Sequence, residues 1–266
     1  MLGALTGDIV GSIYEWNNIK TTEFPLFQLD CRYTDDSVLT VALAESILTG
    51  EGYGSVMKRY FHRYPDAGYG GSFRRWALGE GTAPYHSWGN GAAMRISPAG
   101  WAFDSLEQVL HKAEEYSSPT HDHPEGVKGA QAVASAVFLG RTGASKLEIC
   151  RYVSENFGYD LTRSCDQIRP DYSFDVSCQG TVPQAITAFL ESGDFEGAIR
   201  LAISLGGDSD TLACITGAVA QAFYGGVPAS IASQTLGFLD EPLRQVTLEF
   251  EAKFVRQGGA EVVRSG

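Results

Sequence analysis

Residues 206–224 read GGDSDTLACITGAVAQAFY, and this stretch decides the fold. From Ser209 onward, small and apolar residues surround the axis of the expected helix, a pattern typical of a helix buried on nearly all sides. The two leading glycines allow the backbone to turn tightly before the helix. Asp208 and Asp210 are therefore expected inside the protein, where carboxylates must be paired, protonated or bound to metal.

A second acidic cluster, Thr34-Asp35-Asp36-Ser37, precedes another helical pattern at Val38–Leu48. Asp36 or Ser37 could cap this helix, which stabilises a helix by about 1 kcal/mol. One cap for each helix leaves further carboxylates in both clusters unexplained. Crowded carboxylate and hydroxyl oxygens suit Mg²⁺, Mn²⁺ or Ca²⁺. If the clusters meet, they predict a two-metal site.

Two alternatives to this site follow from the residue types. Arg32 or Arg200 could instead pair with the carboxylates in a structural ion-pair network. Zinc is less suitable, because neither cluster contains the His or Cys ligands that zinc prefers. His121 and His123 form an isolated H-x-H before a proline, which is typical of a turn.

Helical periodicity continues along most of the chain, and convincing strands are absent. Gly3, Gly7 and Gly11 share one stripe of the N-terminal helix and permit close approach of another helix. About ten helices with short connections predict one compact all-α domain over residues 1–266. Besides Leu2–Ile13 and Val38–Leu48, the expected helices are Val56–Tyr64, Leu106–Tyr116, Val127–Leu139, Ser145–Phe157, Val182–Leu190, Phe195–Leu205, Ser209–Tyr224, Ala229–Leu236 and Pro242–Val255.

Two long segments, Gly68–Trp101 and Gly158–Gly180, lack helical periodicity. Long irregular segments in a compact domain are usually functional or disordered. Their aromatic content favours ordered walls of a pocket.

Composition narrows the classes of partner. The 266 residues are 44% hydrophobic and 20% charged, which is typical of a soluble globular protein. The net charge of −12 argues against nucleic acid or an anionic membrane as a partner. Five scattered cysteines and the lack of a signal-like or membrane-spanning apolar run lead us to expect a cytoplasmic location.

Common catalytic motifs are missing from the sequence. It has no P-loop, no strand-linked G-x-G-x-x-G and no G-x-S-x-G elbow. Residues 208–212 partly match the D-x-D-x-T pattern of haloacid-dehalogenase-type phosphatases. That pattern should follow a strand, whereas Phe195–Leu205 is expected to be a helix, so a phosphatase is a weak alternative.

Several motifs together resemble the ADP-ribosylglycohydrolases, a family that includes the dinitrogenase reductase-activating glycohydrolase. The resemblance covers nearly the whole chain, and its specificity comes from the order and spacing of the motifs. They are residues 7–15 (GDIVGSIYE), 34–36 (TDD), 89–95 (GNGAAMR), 120–124 (THDHP), 182–185 (VPQA) and 206–211 (GGDSDT).

The resemblance implies an orthogonal helical bundle that holds two Mg²⁺ or Mn²⁺ ions. By motif position, the metal ligands would be Thr34, Asp35, Asp36, Asp208, Asp210 and Thr211. Glu15 matches a glutamate of the metal site or of catalysis. The residues that would line the ADP-ribose site are Ser87, Trp88, Gly89, Asn90, Gly91 and His123.

The implied activity is release of ADP-ribose from a modified protein side chain or small molecule. Paired metals can orient ribose hydroxyls and activate water, and acidic groups suit an oxocarbenium-like transition state. Glu15, Asp35 and Asp208 are the candidate acid or base residues. Ser87 stands where the arginine-specific enzymes are expected to have an acidic residue, which puts arginine-linked substrates in doubt. A non-catalytic ADP-ribose binder or crystallin-like relative is the alternative, and the oligomeric state is not indicated.

Overall fold

The computed structural model describes residues 1–255, and over this range it contains fifteen α-helices and no β-strand. The all-α helical bundle expected from the sequence is confirmed. A short π-helical turn, Glu251–Val255, follows the last α-helix. The helices are α1 (Leu2–Gly11), α2 (Asp35–Thr49), α3 (Tyr53–Arg63), α4 (Gly71–Leu78), α5 (Gly91–Met94), α6 (Ser97–Ala102), α7 (Leu106–Ser117), α8 (Pro124–Arg141), α9 (Lys146–Phe157), α10 (Cys165–Ile168), α11 (Cys178–Glu191), α12 (Phe195–Ser204), α13 (Ser209–Phe223), α14 (Ala229–Phe238) and α15 (Glu241–Phe250).

Helices α1 and α13 form the centre of the bundle. A Cβ atom at Gly7 would lie only 1.9 Å from the carbonyl oxygen of Ala213. At Gly3 it would lie 2.2 Å from the carbonyl oxygen of Gly217. The glycine stripe predicted from the sequence therefore does bring two helix backbones into direct contact.

Helix α13 is buried over nearly its whole length, as its apolar circumference predicted. Helices α8, α11 and α12 pack around it, and α2 packs against α1 and α15. This packing brings the N-termini of α2 and α13 to the same region as the C-terminal end of α1. Both acidic clusters consequently lie at one end of the central helix pair.

The two segments without periodicity contain short helices that the sequence pattern did not predict. Helices α4 and α5 lie within Gly68–Trp101, α6 begins in that segment and ends one residue after it, and α10 lies within Gly158–Gly180. Helices of four to eight residues provide too few turns for an apolar period to be recognised. The cap of α2 also differs from the expectation, because the Thr34 hydroxyl accepts the hydrogen bond from the Asp36 amide.

Other features of the chain bear on the remaining expectations. None of the helices within residues 1–255 has the length and apolarity needed to cross a membrane. All five cysteines are free thiols. The single-domain prediction extends to residue 266, and its last eleven residues, 256–266, lie outside the described range.

Candidate active site

A cleft of about 590 Å³ opens at the end of the α1–α13 pair. The starts of α2 and α13 form its floor, and its walls come from the two segments without periodicity. Aromatic side chains of those segments, including Tyr85 and Phe174, line it as expected. The predicted residues that line this cleft are Glu15, Thr34, Asp35, Asp36, Ser87, Gly89, Asn90, Gly91, Asp208, Asp210 and Thr211.

Asp8 holds the start of α2 against α1. Its Oδ1 atom accepts a 2.6 Å hydrogen bond from the Thr34 hydroxyl. Its Oδ2 atom accepts bonds from the Thr34 amide at 2.9 Å and the Ser37 amide at 3.1 Å, and from the Ser37 hydroxyl. Because Asp8 is fully buried, this set of donors fixes the first acidic cluster on the floor of the cleft.

Two overlapping groups of carboxylates meet on this floor. Oxygen atoms of Asp8, Asp36 and Asp210 lie within 4.8 Å of one another, as do those of Glu15, Asp208 and Asp210. Asp210 belongs to both groups. The structure therefore brings together clusters that are more than 170 residues apart in the sequence, as the two-cluster hypothesis required.

Within residues 1–255, the carboxylates on the floor have no protein cation as a partner. No Lys, Arg or His side chain within residues 1–255 forms a salt bridge with any of them. Arg200 instead pairs with Glu196 and donates to the carbonyl oxygens of Thr22 and Phe24. Arg32 is exposed at the cleft margin. The alternative of a structural ion-pair network is thus not observed in this part of the chain.

Two carboxylate oxygens on the floor are buried without a hydrogen-bond partner in the described residues, Asp36 Oδ1 and Asp210 Oδ1. Burial, with the neighbouring carboxylates, raises the pKa of Asp36 and of Asp210 well above the usual range. Burial, with Asp8 and Asp208 nearby, also raises the pKa of the partly exposed Asp35 to about 8. The floor favours either bound protons or a bound cation.

Glu15 reaches the floor from the irregular segment that follows α1. Burial, reinforced by the Asp208 carboxylate, raises the pKa of Glu15 to about 7. The Asn18 side chain fastens this segment to the turn before α13, because its Nδ2 atom donates to the Gly207 carbonyl at 2.9 Å and its Oδ1 atom accepts from the Gly207 amide at 2.8 Å. The turn itself depends on left-handed φ angles of 73° at both Gly206 and Gly207.

Asn90 connects the predicted ligand loop to the acidic floor. Its Nδ2 atom donates to Asp208 Oδ2 at 2.6 Å and to the Thr181 hydroxyl at 3.1 Å. The loop is held in place by a bond from the Asn90 amide to the Val176 carbonyl at 2.7 Å. Asn90 therefore orients Asp208 in addition to lining the cleft.

Trp88 and His123 are predicted ligand residues that do not line the cleft. The Trp88 ring is 53% exposed and packs edge-on against the His123 ring, with centroids 5.5 Å apart. His123 caps α8, where its Nδ1 atom accepts a 3.1 Å bond from the Glu125 amide. Their roles in ligand binding stay predictions, and a ligand would have to extend beyond the cleft to reach them.

Asp8, His121 and Arg95 are among the residues on or beside the cleft that were not assigned a role from the sequence. Asp8 is part of the 7–15 motif, but in a periodicity analysis it interrupts an otherwise apolar helix. His121 and Arg95 line the cleft and are both buried. The H-x-H pattern did not indicate that His121, and not His123, would face the cleft.

The structure is thus an all-α bundle with a cluster of buried carboxylates at the bottom of a cleft. The sequence matches the ADP-ribosylglycohydrolase family model over residues 1–259. The chain belongs to the ADP-ribosylglycohydrolase family.

Similar proteins agree with this assignment. ADP-ribosylhydrolase ARH3 of Mus musculus is 26% identical over 321 aligned positions, which cover 90% of this chain and 86% of the mouse protein. ADP-ribosylarginine hydrolase Tri1 of Pseudomonas putida is 32% identical over 148 positions, but these cover only 52% of this chain and 38% of Tri1. A solved structure, described as an ADP-ribosylglycohydrolase-related protein complex, has a TM-score of 0.68 and 25% identity, and the match covers 94% of this chain and 95% of that one.

Proposed function

We propose that this protein is a metal-dependent hydrolase that cleaves the bond between the anomeric carbon of ADP-ribose and a modified side chain or small molecule. Membership of the family supports hydrolysis of an ADP-ribosyl linkage. The observation that carries the metal dependence is a pair of buried oxygens, Asp36 Oδ1 and Asp210 Oδ1, that have no hydrogen-bond partner among residues 1–255.

The donor set on the floor fits a pair of hard divalent cations. Every candidate ligand atom is a carboxylate or hydroxyl oxygen, which suits Mg²⁺ or Mn²⁺. The two clusters of carboxylates, one with Asp8 and Asp36 and the other with Glu15 and Asp208, share Asp210. This arrangement suits two adjacent ions. The residues proposed to hold the ions are Thr34, Asp35, Asp36, Asp208, Asp210 and Thr211.

The chemistry that a bound pair of such ions supplies is charge neutralisation and Lewis-acid polarisation close to the anomeric centre. The protein's own contribution begins with Asp8 and Asn90, which fix the start of α2 and the Asp208 carboxylate by direct hydrogen bonds. Both residues keep the floor in one geometry, so that little reorganisation is needed during the reaction.

Glu15 is the best placed of the three candidate acid or base residues. In the metal-free protein, burial and the Asp208 carboxylate raise its pKa to about 7, and a carboxyl group at this position can donate or accept a proton at the reacting bond. It lies beside Asp208 and Asp210 and is only partly buried, so it can reach both the floor and the cleft. We therefore assign proton transfer at the reacting bond to the Glu15 carboxylate, and to Asp35 and Asp208 the binding of cations and ribose.

The substrate half that enters the cleft is proposed to be ADP-ribose, carried by a modified protein or small molecule. Ser87 faces the cleft and brings no carboxylate to it, so this position provides no counter-charge for a guanidinium. We propose a neutral O-linked substrate in preference to an arginine-linked one. A cytoplasmic location remains part of this proposal.

The proposed function is tested with a panel of defined ADP-ribosyl linkages, each incubated with Mg²⁺, with Mn²⁺ and with EDTA. We expect release of ADP-ribose only with a divalent ion, and a fall in kcat of about 100-fold or more for Glu15→Gln. Glu23→Gln is the matched control, because Glu23 is an exposed glutamate of the neighbouring loop.

Several results would contradict the proposal. Undiminished turnover in EDTA would exclude the metal-dependent reaction. Release of phosphate without ADP-ribose would favour the phosphatase alternative. Tight binding of ADP-ribose without turnover of any linkage would favour the non-catalytic binder.

A further inference from the structure

Arg95 is a buried cation beside the cleft that has no carboxylate partner in the described part of the chain. Its side chain is among the largest that are fully buried, with only 1% of the residue exposed. Its Nη2 atom donates a 2.6 Å hydrogen bond to the Thr120 hydroxyl. A buried guanidinium is expensive unless its charge is used or compensated, so this contact calls for an explanation.

The Thr120 hydroxyl connects Arg95 to His121. Thr120 Oγ1 also lies 2.8 Å from His121 Nδ1. A guanidinium can only donate, so Thr120 must accept from Arg95 and its single hydrogen is free to point at Nδ1. When that hydrogen points at Nδ1, His121 Nδ1 accepts it and carries no proton of its own.

A second contact also favours the tautomer of His121 that has no proton on Nδ1. Arg95 Nη2 itself lies 3.4 Å from His121 Nδ1, and a donor-only group beside Nδ1 again requires an acceptor there. Burial, together with the nearby Arg95 charge, lowers the pKa of His121 well below its usual range, which keeps the ring neutral. A neutral ring without a proton on Nδ1 carries it on Nε2.

The protonated Nε2 atom is directed toward the loop that lines the cleft. A Cβ atom at Gly91 would lie 3.2 Å from His121 Nε2, and one at Gly89 would lie 3.5 Å from it. Both glycines line the cleft, as does His121. The absence of side chains there leaves Nε2 accessible to a ligand on that wall.

We propose that Arg95 and Thr120 are positioning residues, which hold His121 as a neutral Nε2–H donor for an oxygen of the ADP-ribosyl group. This inference rests on the proposed function, because it takes ADP-ribose as the occupant of the cleft. The guanidinium acts through Thr120 and does not touch the ligand. Its positive charge polarises the Thr120 hydroxyl and the imidazole, which strengthens the Nε2–H group as a donor.

The tautomer is tested by ¹⁵N NMR of the imidazole nitrogens in the ligand-free protein. The chain has five histidines, and the signals that disappear in His121→Gln identify His121. We expect wild type and Thr120→Ser to show the Nε2–H tautomer, and Thr120→Val to show a mixture with the Nδ1–H form. We call the chain of contacts from Arg95 through Thr120 to His121 the Arg95–Thr120–His121 relay. A wild-type spectrum with the proton on Nδ1, or an unchanged tautomer in Thr120→Val, would overturn this relay.

Binding of ADP-ribose, measured by calorimetry, tests the consequence for the ligand. Loss of one hydrogen bond of this kind predicts affinity weaker by about threefold to tenfold in Thr120→Val, and little change in Thr120→Ser. His121→Gln, whose amide lies near the Nε2 position, should bind better than His121→Asn, whose amide lies near Nδ1. Equal affinities in the two His121 variants would contradict the role of Nε2–H.

The two measurements separate the inference from the proposed function. Failure of the wild-type protein to bind ADP-ribose would refute the proposed ligand, whatever the spectrum shows. The spectrum decides whether the Arg95–Thr120–His121 relay exists. If Thr120→Val does not fold, the wild-type spectrum and the pair of His121 variants still give a decision.

Discussion

Asp210→Asn is predicted to make the metal-free protein more stable than wild type, and to make the protein less stable than wild type when metal is bound. Asn has nearly the same shape as Asp, but it removes the charge that Asp210 shares with both carboxylate groups of the floor. In the metal-free protein the Asp210 carboxylate lies beside other carboxylates, and its Oδ1 atom has no hydrogen-bond partner in the described part of the chain. Removal of this charge should therefore relieve electrostatic repulsion.

The size of the effect follows from the geometry. Two unit charges about 5 Å apart, at an effective dielectric constant of about 20, repel by about 3 kcal/mol. Carboxyl groups with raised pKa values bind protons, which already relieves part of this repulsion. We therefore expect Asp210→Asn to raise the free energy of unfolding by about 2 kcal/mol at pH 8. For a domain of this size the corresponding rise in Tm is about 4–8 °C.

The order should reverse when the cation is added. A ligand at about 100 times its Kd stabilises the folded state by about 2.7 kcal/mol, and wild type should gain this while Asp210→Asn gains little. Thermal unfolding at pH 8, followed by circular dichroism, gives the Tm of wild type and of Asp210→Asn, each in EDTA and in excess Mg²⁺ or Mn²⁺. Asp30→Asn, at an exposed aspartate, is the control for the change in net charge.

Two outcomes would refute this reasoning. If Asp210→Asn is less stable than wild type in EDTA, the floor carboxylates are not in repulsion. If it keeps the full metal-induced rise in Tm, Asp210 is not needed to hold the cation. Either result would remove the main physical support for a binuclear centre.

Three further predictions concern the same region. The metal-free protein should lose stability as pH rises from about 4.5 to about 7, because Glu15 binds its proton more tightly in the folded than in the unfolded state. Saturating Mn²⁺ should flatten this pH dependence when the free energy of unfolding is measured by denaturant titration at each pH. Stability that rises with pH in EDTA would contradict the raised pKa of Glu15. Asn90→Ala should weaken Mn²⁺ binding by about tenfold, because Asp208 loses the 2.6 Å bond that orients it; unchanged binding in a calorimetric titration would contradict this role. Gly207→Ala should destabilise the fold by about 1–3 kcal/mol, because the backbone there has a φ of +73° and an added Cβ atom would lie 2.7 Å from a ring carbon of Tyr172. Gly237 is a helical position with open space around it, so Gly237→Ala should leave the free energy of unfolding in urea unchanged or raise it.

The arrangement of the core was largely predictable from the sequence, for reasons that can be located in particular residues. The apolar circumference of residues 212–223 predicted the burial of α13, and the glycine stripe of α1 predicted its backbone contact. Both signals are strictly local patterns that repeat over several helical turns. The meeting of the two acidic clusters followed from burial and from the family resemblance, and not from their spacing.

Other parts of the site depend on contacts that no local pattern encodes. Asp8 acts through Thr34 and Ser37, 26 and 29 positions away in the chain. His121 and His123 are equivalent in a sequence motif, but the start of α8 directs one to the cleft and makes the other a helix cap. The positions of such side chains depend on which helices and loops pack together, and the periodic pattern of a single helix does not contain that information.

The backbone contact between α1 and α13 divides the molecule into a part that resists sequence change and a part that accommodates it. A single added methyl group at Gly7 would force the two central helices apart and carry Asp8 away from α2. Gly70, on the wall of the cleft, has open space where a Cβ atom would be. Libraries designed to alter leaving-group preference should therefore diversify the wall around Gly70, where new side chains can vary while the acidic floor keeps its geometry.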